Sequence, residues 1–381
     1  MKLLHLSDLH LGIRIKNYSL YEDQKYILDE ILRIVDEEKP DGVLIAGDIY
    51  DKPFPPENDV TLFDYFLVEL AKKKVETFII SGNHDSAERL AFGERLIAVN
   101  GIHLSPVYNG VIRPLPLHDE YGTVNIYMLP FIKPSDVRRF LPDRTVNSYN
   151  DAMRAAIEEM HIDPAERNVL VAHQFVTGAV RSESESSRIV VGNLDNVDAE
   201  VMDCFDYVAL GHIHGPQQIG SQKIRYCGTP LKYSFSEVNH QKSVTVAQLG
   251  EKGQLTIRTV PLRPLRDMRV LRGRFEELTS RSFYEGTTYP GDYLHIILTD
   301  EMYITGALDK LRLIYPFIMK FEYDNIRSAD STFQADPVDF QSRTPQELFE
   351  DLFRQQNNTE MTPKQKELLE KLIREIWGDE A

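Results

Sequence analysis

The chain has 381 residues, 42% of them apolar, and a formal net charge of −16, a length that allows two compact domains. Its two cysteines exclude a disulfide framework or a cysteine-built metal site and are expected as small buried hydrophobes; no run approaches the roughly 18–20 apolar residues of a membrane span. The start Met1-Lys2-Leu3-Leu4-His5 lacks a signal-peptide pattern, so a cytoplasmic protein is expected, and the acidic charge is weak evidence against a nucleic-acid substrate, because bound cations and local basic patches override a smeared charge.

In chain order, the apolar run at 2–6 leads into Ser7-Asp8-Leu9-His10, that at 42–46 into Gly47-Asp48, and that at 75–80 into Ser81-Gly82-Asn83-His84-Asp85. Apolar residues at helical spacing over 21–35 and 60–71 separate these runs, which predicts a βαβ series and a largely buried sheet. Ligands bind outside the carboxyl ends of strands in α/β sheets, where these polar clusters fall. Two further runs, 168–172 and 207–210, end at His173-Gln174 and Gly211-His212-Ile213-His214. Hairpin-like stretches at 223–227, 243–249 and 254–260 are expected to build a second sheet, completing a domain of residues 1–265.

Arg263-Pro264-Leu265-Arg266 then reads as a linker to a small α+β domain, 266–325, with strands at 268–275, 292–298 and 317–323 and a helix near 304–314. Arg263, Arg266, Arg269, Arg272 and Arg274 serve there either as phosphate-backbone contacts or as a solvated basic stretch. Residues 326–343 are polar and aperiodic, as a linker is. In the last segment, 344–381, Thr344-Pro345-Gln346-Glu347 and Thr362-Pro363-Lys364-Gln365 are two capping boxes, each with an N-cap threonine and a proline at the first helical position. The helices they open carry the stripes Leu348, Phe349, Leu352, Phe353 and Leu368, Leu369, Leu372, Ile373, Ile376, Trp377. Such stripes pack on their own chain or on a partner; the detaching linker favours the partner.

Five strand ends thus supply, in order, Asp with His, Asp, Asn with His, His, and a His pair. Singly each is an ordinary turn or surface residue; together they are a donor mixture suited to Mn, Fe or Zn rather than to Ca or Mg. The glycines before Asp48, Asn83 and His212 are expected to let the backbone turn sharply. Asp51 either supports the His84 imidazole with its carboxylate or is a loop carboxylate, and Asp85 is expected to support the ligands. His5 is expected to face the sheet, and His103, His118, His161, His240 and His295 carry no motif.

The ordered set resembles the calcineurin-like metallophosphoesterase superfamily, whose blocks D-x-H, G-D, G-N-H-[DE], a strand-end His and G-H-x-H stand here as Asp8-Leu9-His10, Gly47-Asp48, Gly82-Asn83-His84-Asp85, His173 and Gly211-His212-Ile213-His214. The resemblance implies an α/β fold, a two-sheet αββα metallophosphoesterase domain followed by a small capping domain and a C-terminal helical pair. It also implies that Asp8, His10 and His214 hold one metal, that Asn83, His173 and His212 hold the other, and that Asp48 bridges them. By the same resemblance, His84 would stabilise the phosphate or protonate the leaving oxygen.

Protein phosphatases of this superfamily continue the second block as G-D-x-x-D-R-G, whereas Gly47-Asp48-Ile49-Tyr50-Asp51-Lys52-Pro53 lacks the Arg-Gly. That tilts the substrate toward diesters, with a metallophosphatase or small-molecule phosphodiesterase as the alternative. Nearly the whole chain is similar to the SbcD family of nuclease subunits, on the blocks above and on Tyr226-Cys227-Gly228-Thr229-Pro230-Leu231. This similarity implies two divalent ions, Mn2+ first among them, and DNA as substrate, cut exonucleolytically at double-strand ends and endonucleolytically in single strands and hairpins. ATP hydrolysis would come from a coiled-coil partner, SbcC, since no G-x-x-x-x-G-K-[ST] occurs here. The terminal helices would dock on that partner, and the small domain would cap the site and contact DNA. A homodimer within a heterotetramer would form through helices near the second and third blocks, where Leu62, Phe63, Phe66 and Leu67 serve either that bundle or the core.

Overall fold

Strands form where short apolar runs can be covered on both faces. In the computed structural model, which describes residues 1–182, 196–324, 344–357 and 360–377, the chain divides into Met1–Asp267 and Met268–Ala381. In the first unit β1 (Lys2–Leu6), β2 (Gly42–Ala46), β3 (Glu76–Ile80) and β4 (Ile102–Leu104) lie side by side and parallel. Helices α1 (Tyr21–Glu38) and α2 (Glu57–Lys72) carry the first two crossovers, as parallel pairing requires.

The second sheet comes from β5 (Leu115–Asp119), β6 (Gly122–Leu129), β7 (Arg167–His173), β8 (Tyr207–Gly211), β9 (Gln217–Ile219) and β10 (Ser221–Tyr226). Its order is β9-β10-β8-β7-β6-β5, parallel from β10 to β6 and antiparallel at both margins. The three hairpin-like stretches do not share it. Only the first becomes part of β10; β11 (Ser243–Leu249) and β12 (Leu255–Pro261) return to the first sheet and pair antiparallel beyond β1. This pairing closes the hydrogen-bonding edge that β1 would otherwise expose.

Side-chain alternation separates two cores. Leu3, Leu44 and Phe78 of the first sheet meet Ile126, Val169, Val171 and Ala209 of the second between the sheets. Leu129, Leu170, Ala172 and Leu210 face outward onto α3 (Tyr149–Glu158), through its Ala152, Met153 and Ala156. The layering is αββα. His5 also lies between the sheets, bonded to Tyr207 and to the Leu210 carbonyl. Cys227 is buried, its Sγ 3.1 Å from Ser7 Oγ, whereas Cys204 lies in a surface turn and is exposed, against the expectation from cysteine's apolarity.

In the second unit β13 (Met268–Gly273), β14 (Tyr293–Leu298) and β15 (Ile318–Tyr323) form a parallel three-stranded sheet, packed through Leu294, Ile296 and Leu298 on Leu311 of α4 (Ala307–Arg312). The helices α5 (Pro345–Asn357) and α6 (Pro363–Trp377) begin at the two capping boxes. Thr344 N–H donates to Glu347 Oε2 at 2.9 Å while Glu347 N–H donates to Thr344 Oγ1 at 3.3 Å, and Thr362 N–H donates to Gln365 Oε1 at 2.8 Å. Leu352 and Leu368 are 51% and 58% exposed, whereas Leu369 is buried. The linker expected at 326–343 lies outside the described residues, as do the side chains of Ile376 and Trp377. Arg266 pairs with Asp23, Arg269 with Asp292 and Arg272 with Asp324, so much of the arginine series is neutralised locally. Among the described residues no helix is long and apolar enough to cross a membrane.

Candidate active site

The loops that follow β1, β2, β3 and β8 carry six of the seven expected ligands, and the seventh, His173, is the last residue of β7. Pairing continues past the strand ends: Asp8 N–H donates to Gly47 O, His10 N–H to Asp48 O and Leu11 N–H to Ile49 O, at 2.9–3.0 Å. Four of the ligand residues themselves take left-handed backbone, Asp8 (φ 54°), His10 (44°), Asp48 (50°) and His212 (99°), a conformation that costs energy for any residue bearing a Cβ and that clusters at functional sites. Of the three glycines expected to turn the chain, Gly47 does so with φ 84°. Gly211 serves another purpose: a Cβ there would strike the Ala46 carbonyl oxygen of the facing sheet. What the site needs at that position is close approach of two backbones.

The structure brings the donors together in overlapping groups. Ligand atoms of Asp8, His10 and His214 lie within 4.8 Å of one another, as do those of Asp8, Asp48 and His173 and those of His10, Asp48 and His84. Asn83 Oδ1 lies 3.0 Å from His173 Nε2 and 2.9 Å from His212 Nδ1. Asp48 Oδ2 stands between the sets, 3.7 Å from His10 Nε2 and 3.3 Å from His173 Nε2. His173 Nδ1–H donates to the Ala46 carbonyl at 2.8 Å, which turns Nε2 toward the cluster.

Burial and mutual attraction divide the charges of these side chains unevenly. Burial pushes the Asp8 carboxyl up to about 6, despite the nearby His173 and His214. Burial holds His10 well below the usual imidazole range and His212 down to about 3. Burial opposes ionisation of Asp48 and His173 too, but their mutual attraction outweighs it, so Asp48 falls well below the carboxylate range and His173 rises to about 9. Among the described residues neither ring nitrogen of buried His10 has a hydrogen-bond partner. The neutral, buried His10 and His212 imidazoles, the unpartnered ring nitrogens of His10 and an Asp8 carboxyl short of countercharge fit divalent metals.

The support of His84 differs from the expectation. His84 Nδ1–H donates at 2.9 Å to the main-chain carbonyl of Asp51, so a group present at every residue type, rather than the Asp51 carboxylate, orients the ring. The segment is held in place to do this: Asp51 N–H donates to Leu11 O, and Asp85 accepts from the N–H groups of Ile49, Tyr50 and Gly82 at 2.9–3.1 Å. His84 Nε2 faces the cluster, 3.9 Å from Asp48 Oδ2.

Sequence reasoning missed several supporting residues. Gln24, buried on α1, accepts from Gly12 N–H at 3.0 Å and donates to the carbonyl of His10 at 2.8 Å, tying the first block to a helix. Tyr233 Oη–H donates to Leu9 O at 2.6 Å, and Glu237 Oε1 lies 3.4 Å from His214 Nδ1. Their spacing from the blocks carries no periodic signal; only burial of a polar residue marks them.

Residues 1–216 match the calcineurin-like phosphoesterase family and residues 264–357 the Type 5 capsule protein repressor C-terminal domain. The chain is 31% identical over 387 residues to the SbcD subunit of nuclease SbcCD from Staphylococcus epidermidis, covering 100% of both chains. It is 28% identical over 376 residues to the protein of that name from Staphylococcus saprophyticus, covering 98% of both. Among solved structures, a dimetal phosphatase from Danio rerio is similar at 12% identity and a TM-score of 0.42, over 68% of this chain and 95% of that one.

Proposed function

The chain belongs to the SbcD family of nuclease subunits, metal-dependent phosphodiester hydrolases built on the calcineurin-like phosphoesterase fold, and from that premise we propose that it cuts DNA with two divalent ions, Mn2+ by preference, alongside an SbcC-type coiled-coil ATPase. Its activities are exonucleolytic on double-strand ends, driven by the partner's ATP hydrolysis, and endonucleolytic on single strands and hairpins. The observation that carries this reading is the Asp48 carboxylate, shared between the His10 side and the His173 side of one cluster. Asp8, His10 and His214 would hold one ion and Asn83, His173 and His212 the other, with Asp48 shared between them. When bound, the ions would supply activation of the attacking water and charge neutralisation for phosphodiester displacement.

The chain's own residues do the rest. Asp85 and Gln24 fix the loops that carry Asp8, His10, Asp48 and Asn83, so the donors need little rearrangement on binding. His84, with Nδ1–H fixed on a carbonyl, presents Nε2 to the reacting phosphate, where its protonated form steadies a phosphate oxygen and delivers a proton to the leaving one. The small domain from Met268 contacts DNA, and the helices from Pro345 dock on the ATPase through Leu352 and Leu368. Leu62, Phe63 and Phe66 are buried in their own unit, so a homodimer uses the exposed Phe92 and Leu96 instead, 87% and 78% accessible beside the third block.

The test is cleavage of a DNA hairpin and a duplex end in Mn2+ with the ATPase present. His84→Ala should lower the rate by about 10²–10⁴-fold while ion binding persists. Intact DNA with the wild-type pair, or phosphomonoester turnover far above DNA cleavage, would overturn the nuclease reading.

A further inference from the structure

Glu237 and Lys242 form an ion pair that the catalytic blocks do not explain. Glu237 ends the short 3-10 turn Phe235–Glu237 and is 0% exposed; Lys242, next to β11, is 4% exposed. The Lys242 ammonium donates to Glu237 Oε2 at 2.6 Å, Thr229 Oγ1 at 2.6 Å and the His214 carbonyl at 2.9 Å. The other Glu237 oxygen lies 3.4 Å from His214 Nδ1. Thr229 N–H donates to the same His214 carbonyl at 3.2 Å, and Gly228 (φ 78°) brings its backbone so near that a Cβ would stand 2.6 Å from that oxygen. His214 is therefore gripped at its backbone and at its ring.

A buried ion pair is a poor source of stability, since apolar residues of similar volume often do as well or better. We infer that Glu237 and Lys242 are positioning residues for the metal held by Asp8, His10 and His214: Glu237 captures the Nδ1 proton of His214 so that Nε2 remains the donor, and Lys242 balances the carboxylate charge. This rests on the two-metal reading above and deepens it. The pair also gives a role to the Gly228-Thr229 stretch.

The geometry makes Glu237→Gln a sharp test. A glutamine must turn its oxygen to the Lys242 ammonium, which leaves its NH2 facing His214 Nδ1. That nitrogen then becomes an acceptor, and the proton moves to Nε2, where it blocks coordination. Long-range 1H–15N spectra of the metal-free protein report the tautomer, and calorimetric titration with Mn2+ alone reports the ions. The expected result is an Nδ1–H tautomer and two ions in the wild type, and in folded Glu237→Gln an Nε2–H tautomer with one of the two ions weakened by about 10–100-fold. A folded variant that keeps the Nδ1–H tautomer and binds both ions with wild-type affinity overturns the inference. Should Glu237→Gln fail to fold, the apolar pair Glu237→Leu with Lys242→Met decides by the same titration; loss of folding there as well makes the network a strut and overturns it too. A wild type with the Nδ1–H tautomer but fewer than two ions refutes the two-metal reading itself.

Discussion

His5 makes the stability of the first unit depend on pH in a way that can be worked through. Its ring lies fully buried between the sheets, with Nε2 3.2 Å from the Leu210 carbonyl and Nδ1 2.8 Å from Tyr207 Oη. A carbonyl only accepts, so Nε2 carries the proton and Nδ1 accepts from the tyrosine hydroxyl; the neutral ring is fully satisfied. Burial, then the charge of Arg225, lowers its pKa from 6.5 to about 3, against the opposing pull of the Leu210 carbonyl. The unfolded chain therefore takes up the proton first. The contribution is fully present above pH 6.5 and is lost as pH falls toward 3. Between pH 6.5 and pH 5 the difference spans about 1.5 pH units, worth about 2 kcal/mol. The assay is urea unfolding in EDTA at pH 7.5 and pH 5.0 for wild type and His5→Gln. Other histidines titrate in both proteins, so the wild type should lose about 2 kcal/mol more than the variant across that interval. Equal losses would refute the reasoning.

Gly211→Ala should cost about 2–4 kcal/mol, the sum of overpacking against the Ala46 carbonyl and loss of the His173–Ala46 hydrogen bond. Thermal melts should show this loss, together with a smaller gain on adding Mn2+ than the wild type shows. Asp85→Asn keeps the side-chain shape but replaces one accepting oxygen by a donor facing main-chain N–H groups. Calorimetry should then find Mn2+ bound about 10-fold or more weakly; unchanged affinity would mean that the two loops hold themselves. For the proposed homodimer, Phe92→Glu with Leu96→Glu should leave only monomer by light scattering, and a persistent dimer would place the interface elsewhere.

Much of the site was legible locally. Asp8 with His10, Asn83 with His84 and His212 with His214 are neighbours at the ends of apolar runs, so residue type and short spacing announced them, and the capping boxes at Thr344 and Thr362 needed only four residues each. Residue type and local pattern sufficed for the candidate donors, the strands that carry them and the family. Packing through space settled which sheet β11 and β12 complete, that a main-chain carbonyl and not the Asp51 carboxylate holds His84, that left-handed backbone falls on candidate ligands as well as on a glycine, and that Gln24, Glu237 and Lys242 stand behind the site. The reason is physical. Strand formation and capping depend on near neighbours, whereas edge pairing, backbone approach and the partner of a buried polar group are set by segments brought together through space, on which local periodicity has no bearing.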